Sequence, residues 1–117
     1  MPIRSISRTG SDSVAFKAGQ TIFDVGENAE MMYIVVEGEV EIRLNERVLQ
    51  TVGEQDVFGE MALIDDRPRS AKAVAKTDCR LAGIDKDHFL VLVEKNPDFA
   101  LEVMEIMAER LRRKTEA

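Results

Sequence analysis

A carboxylate and a guanidinium stand nine positions apart in one short stretch, Phe58-Gly59-Glu60-Met61-Ala62-Leu63-Ile64-Asp65-Asp66-Arg67-Pro68-Arg69-Ser70-Ala71. Glu60 directly follows a glycine and sits within an apolar run. A charge in such surroundings is costly unless it is paired or hydrogen-bonded. Gly59 permits backbone shapes closed to other residues and lets a ligand approach closely. Met61-Ala62-Leu63-Ile64 can form one helical turn whose free N–H groups point outward as an anion site. Pro68 fixes the chain before Arg69, which opens a strand predicted over Ser70–Ala75, rich in small residues that leave space beside the side chain. A guanidinium gives a phosphate two parallel charge-assisted hydrogen bonds. A carboxylate, which only accepts, suits a sugar hydroxyl. Phosphate and sugar together describe a nucleotide. The same residues also fit a plainer arrangement: an Arg69–Glu60 ion pair supporting a turn, with Met61, Leu63 and Ile64 as core. Chemistry alone leaves both open.

The elements that must position this stretch read as many short strands followed by helix. Strand-like segments fall at Thr21–Val25, Met32–Val36, Val40–Leu44, Arg47–Val52, Ser70–Ala75 and Cys79–Ile84, separated by turn chemistry at Gly26, Gly38, Asn45-Glu46, Gly53 and Lys76-Thr77-Asp78. Met32–Val36 is uninterrupted apolar, as in a buried strand. Val40, Ile42 and Leu44 alternate with Glu39, Glu41 and Arg43, the period of a half-buried strand. This spacing predicts a mainly β fold with C-terminal α structure: a β-barrel or sandwich followed by helices. Asp85 is a cap for a helix over Lys86–Glu94, and Asn96-Pro97 starts another. On that last helix Ala100, Val103, Met104, Met107 and Leu111 form the predicted packing stripe, with Glu109–Arg113 as an i,i+4 pair.

Composition narrows the class. The 117 residues are 44% hydrophobic and 32% charged, the profile of one globular domain. No uncharged apolar run reaches the length of a membrane span. The polar start is no secretory signal; residues 1–15 read as a flexible arm and 16–117 as the domain. One cysteine, Cys79, excludes an internal disulfide, so the expected location is cytoplasmic. A formal net charge of −6 argues against a nucleic-acid partner. Arg110, Arg112, Arg113 and Lys114 read as a solvated helix end that suits the helix dipole. His88 and Cys79 form no metal spacing and no nucleophile–base pair, and Asp65-Asp66 reads as a loop tip, so neither an enzyme nor a metal or cofactor site is expected.

Phe58-Gly59-Glu60-Met61-Ala62-Leu63 followed by Pro68-Arg69-Ser70-Ala71 resembles the phosphate-binding cassette of cyclic nucleotide-binding domains. Phe16–Phe23, Met32–Val40 and Ala75–Leu81 resemble that family's other strands in order and spacing, and Val52–Val57 leads into the cassette as in the family, so the likeness runs from about residue 16 to 112 and implies a jelly-roll β-barrel followed by helices. The resemblance implies that Glu60 accepts from the ribose 2′-hydroxyl, supported by Gly59. It implies that the amides of Met61 and Ala62 lie near the phosphate, and that Arg69 pairs with its exocyclic oxygens beside the Ser70 hydroxyl and the Ala71 amide. Strand alternation adds Ile42 and Val52 as residues lining the base pocket or packing the core. Ser70 inclines the ligand toward cyclic AMP, with cyclic GMP the other choice; Lys72 departs from the threonine common in the family. The resemblance also implies a lid over the base, for which Met107 and Leu111 are the available candidates; core or interface packing is the alternative role of both. No reader helix follows Arg113, so the expectation is a stand-alone sensor or a fragment of a larger protein, signalling to a separate effector or across a homodimer. The alternative is a degenerate domain that binds no nucleotide and serves as an interaction scaffold.

Overall fold

Among the described residues, eight antiparallel strands make two four-stranded sheets, and two helices close one side. The computed structural model describes residues 13–65 and 67–116, with side chains to residue 113. The first sheet contains β1 (Ser13–Phe16), β8 (Cys79–Asp85), β3 (Met31–Glu37) and β6 (Val57–Phe58), in that order. The second contains β2 (Thr21–Phe23), β7 (Lys72–Ala75), β4 (Val40–Leu44) and β5 (Arg47–Val52). A single 3-10 turn (Glu60–Leu63) follows β6, and α1 (Lys86–Lys95) and α2 (Pro97–Glu116) follow β8.

The apolar run in β3 follows from its place. Val35 faces the other sheet and packs with Phe23, Val40, Val52, Phe58 and Leu81. Met32 and Ile34 face the opposite way, where Phe99, Val103 and Ile106 of α2 cover them. A strand buried on both faces has no polar side to display. β4 lies within the second sheet, and its burial falls off along the strand instead of alternating as expected: Val40 is buried, Glu41, Ile42 and Arg43 are half-buried, and Leu44 is exposed.

The jelly-roll architecture is as expected, but the two sheets remain separate ladders rather than one closed barrel. Two boundaries differ from the sequence reading. β1 begins at Ser13 and pairs with β8 from Ser13↔Ala82 to Phe16↔Cys79, so residues 13–15 belong to the sheet and not to an arm. Residues 1–12, the rest of that reading, lie outside the described residues. The predicted strand over Ser70–Ala75 starts only at Lys72. The backbone of Arg69 is taken by the loop after β2: its N–H donates to Glu27 O (2.9 Å) and its carbonyl accepts from Gly26 N (2.9 Å).

Asp85 caps α1 through its side chain, which accepts from His88 N at 2.8 Å. Proline opens α2 as predicted. The buried face of α2 is rotated from the predicted stripe: Phe99, Val103 and Ile106 are buried, whereas Met104 and Leu111 are exposed. Phe99 wins the core position because its ring packs on Phe89 of α1, centroids 5.5 Å apart.

Gly38 turns the chain from β3 into β4 at φ +90°, where a side chain is strained. A Cβ there would meet Cys79 Cβ at 2.7 Å and Thr77 Oγ1 at 2.8 Å, and would collide with the carbonyl of Asp78. Gly38→Ala is therefore expected to cost about 2–4 kcal/mol, combining backbone strain with overpacking. Urea denaturation checks this; a loss below about 0.5 kcal/mol, the range of a neutral surface change, would contradict the assigned geometry.

Candidate ligand-binding site

Arg69 is 8% exposed, although it belongs to the residue type least readily buried. Its Nη1 donates to Gly59 O (3.0 Å) and its Nη2 to Met31 O (2.5 Å). The guanidinium carbon lies 4.0 Å from the centroid of the Phe23 ring. Nε is buried and has no partner among the described residues. No carboxylate among those residues comes within ion-pair distance of Arg69; Glu27 and Glu60 act on it only through longer-range fields. Burial lowers the Arg69 pKa, and nearby Tyr33, Glu27 and Glu60 pull it back up. A buried cation held by neutral groups, with its Nε–H unpartnered, is an arrangement suited to an incoming anion.

Gly59 makes the arrangement possible. It adopts φ +73°, and a Cβ there would stand 2.7 Å from Arg69 Nη1. Its carbonyl accepts from both Arg69 and the amide of Ala62 (3.2 Å), so the cassette turn and the arginine share one anchor. That second bond corrects one expectation: the Ala62 amide is engaged in closing the 3-10 turn, because a 3-10 turn uses its own i+3 donors. The predicted helical turn itself is present, over Glu60–Leu63.

Glu60 does not pair with Arg69. Its partner is Arg110 of α2, whose Nη1 donates to Glu60 Oε1 at 2.6 Å. Nη2 of the same guanidinium donates to Asp56 Oδ1 (3.1 Å) and to the carbonyl of Val57. Gln50, with its amide oxygen turned toward the guanidinium, accepts from Nε at 2.7 Å. Arg110 and Glu60 are largely buried, their side chains 16% and 14% exposed. The plainer arrangement, an Arg69–Glu60 ion pair, is thus not formed, and Arg110 is not part of a solvated helix end. Arg112 and Arg113 are: both are exposed, and both pair with Glu109, at 2.8 and 3.8 Å.

The remaining predicted residues differ widely in burial. Phe58 is buried and stacks on Tyr33, centroids 5.2 Å apart. Met61 and Ser70 are exposed, and Ala62 and Ala71 half-buried. Val52 has no exposed surface and fills the core between the sheets, because its register partner Val40 points the same way. Ile42 is half-buried at the edge of that core. Met107 is half-buried against the α2 core, and Leu111 is exposed. Three polar residues of the site were not picked out from sequence: Arg110, Asp56 and Gln50. The legible signal for Arg110 is its spacing, which continues the buried series Phe99, Val103, Ile106 in steps of four, three and four.

Comparison with known proteins bears on the whole domain. Residues 13–96 match the family model of the cyclic nucleotide-binding domain. Over 105 residues the chain is 31% identical to the CRP-like cAMP-activated global transcriptional regulator of Mycobacterium tuberculosis, covering 86% of this chain and 47% of that protein. The chain thus spans about half the length of this curated relative. Its fold is similar to that of the Thermus thermophilus catabolite activator protein, with a TM-score of 0.77 at 31% identity, over 88% of this chain and 51% of that one. It is also similar to the EAL enzyme Bd1971 in its cAMP-bound form, with a TM-score of 0.62 at 36% identity, over 88% of this chain and 29% of that one.

Proposed function

The chain belongs to the cyclic nucleotide-binding domain family, and from that premise we propose that it is a cytoplasmic sensor of a cyclic nucleotide, with cyclic AMP the preferred ligand. The observation that carries this reading is the buried Nε–H of Arg69, unpartnered among the described residues and flanked by neutral groups only. An exocyclic phosphate oxygen satisfies it, and the negative charge offsets the desolvated cation. Glu60 spends Oε1 on Arg110, which leaves Oε2 to accept from the ribose 2′-hydroxyl. Ser70 and the Ala71 amide complete the phosphate side, and Ile42 borders the base. Solved relatives support the ligand class: Bd1971 has been captured with cAMP and with cGMP. The residues bind and report; none is asked to break a bond in the ligand.

Binding reaches α2 through Arg110, because that side chain holds Glu60, Asp56 and Val57 at once. A ligand that draws on Glu60 changes what Arg110 holds, and so biases where α2 sits. It can do so only by its differential affinity for the two positions. Output then passes from α2 to a separate effector or to a second copy of the chain; the exposed Leu101 and Met104 provide an apolar contact face. Calorimetric titration with cyclic AMP, cyclic GMP and 2′-deoxy cyclic AMP tests the site. Cyclic AMP is expected to bind in the micromolar range or tighter. The 2′-deoxy analogue is expected to bind roughly tenfold more weakly, the worth of one charge-assisted hydrogen bond. Absence of heat and of a melting shift with all three would instead establish a scaffold that binds no nucleotide.

A further inference from the structure

Phe23 occupies a position that the binding reading does not use. It lies on β2, in the opposite sheet from β3 and β6, with its ring under the Arg69 guanidinium at 4.0 Å. The ring is itself held in place. Tyr33 stacks on it with centroids 6.3 Å apart and planes at 28°, and Phe58 meets it at 6.0 Å and 38°. Tyr33 and Phe58 are register partners across β3 and β6 and stack on each other. Three rings from both sheets therefore form a floor beneath one arginine. The backbone bonds of Arg69 to Gly26 and Glu27, just beyond β2, bring the guanidinium over that floor.

The chemistry of the floor matters because of what it replaces. A buried arginine is ordinarily balanced by a carboxylate. A carboxylate beside Arg69 would compete with an incoming phosphate for the same N–H groups and would cancel the attracting charge. An aromatic face stabilises the cation through its quadrupole, packs flat on the guanidinium, and leaves the charge and the in-plane N–H edge available. Resting on the reading of Arg69 as the phosphate anchor, we propose that Phe23 is a positioning residue for that arginine: its ring fixes the plane of the guanidinium, so that Nε faces the ligand, without neutralising it.

The test is a titration of cyclic AMP into the full chain, with Phe23 and Arg69 varied singly and together. Phe23→Leu is expected to weaken binding about tenfold, less than the roughly 30-fold worth of a desolvated cation–π contact because that contact is already made before ligand arrives, while Phe23→Tyr stays within about twofold of the parent. Phe23→Met provides a second ring-free variant of similar volume should the leucine variant melt early. In the Arg69→Lys background, where there is no planar group to orient, Phe23→Leu is expected to cost less than about threefold. Equal losses in both backgrounds would make Phe23 ordinary core and overturn the inference, as would unchanged binding in folded Phe23→Leu or Phe23→Met. Failure of the parent chain to bind cyclic AMP would instead strike the underlying reading of Arg69, which separates the two failures.

Discussion

Arg69→Ala is expected to weaken cyclic nucleotide binding by about 30- to 4,000-fold, equivalent to 2–5 kcal/mol, with little loss of fold stability. The size comes from burial. At 8% exposure, the guanidinium meets a phosphate away from the screening that makes surface ion pairs weak. Removing it leaves the ligand's charge desolvated beside the carbonyls of Gly59 and Met31, which face Arg69 now and would repel an anion once it is gone. Stability is expected to hold because the same truncation relieves a buried charge that has an unsatisfied Nε. The two readouts should therefore separate: calorimetry shows a large loss of affinity, while the unliganded melting temperature stays within a few degrees or rises. Equal affinity in parent and variant would remove Arg69 from the site.

Arg110→Ala is expected to act in the opposite sense, on the fold first. Arg110 bonds to Glu60, Asp56 and the Val57 carbonyl, and Gln50 accepts from it as well. Its loss leaves the largely buried Glu60 carboxylate without its counter-ion and unfastens α2 from the segment between β5 and the cassette turn. Truncating one member of a fully buried pair costs about 3–5 kcal/mol; the partial exposure here scales this to about 2–3 kcal/mol. Denaturant unfolding measures that loss. Hydrogen exchange along α2 measures the coupling: saturating cyclic AMP is expected to alter α2 protection in the parent and to leave it unchanged in Arg110→Ala. An α2 response that survives the substitution would mean that the signal leaves the cassette by another route.

The cassette was legible because its chemistry is local. Gly59, Glu60 and Arg69 announce themselves through residue types that are expensive in an apolar neighbourhood, and the helix caps Asp85 and Pro97 work within a few residues of where they stand. What the sequence hid is long-range. Arg110 meets Glu60 across fifty positions, and among three neighbouring basic residues it looks like any solvated cation until the phase of the buried face of α2 is known. That phase was misplaced because Met104 and Leu111 are as apolar as Phe99 and Ile106; only the packing of Phe99 on Phe89 decides between them. β6 escaped notice because two residues carry no periodicity. The resemblance puts the Ala62 amide near the phosphate, but an amide within a turn looks the same in sequence whether or not the turn consumes it. Phe23 read as one more strand residue, since nothing local says that an arginine 46 positions later will lie on its ring.

The most direct test follows the Nε–H of Arg69 itself, by nitrogen-15 NMR of the side chain during titration with cyclic AMP. The buried, unpartnered N–H is expected to move strongly downfield and to become protected from exchange as a phosphate oxygen accepts from it. Saturation of the protein with ligand while that resonance stays where it began would contradict the central role assigned to this arginine.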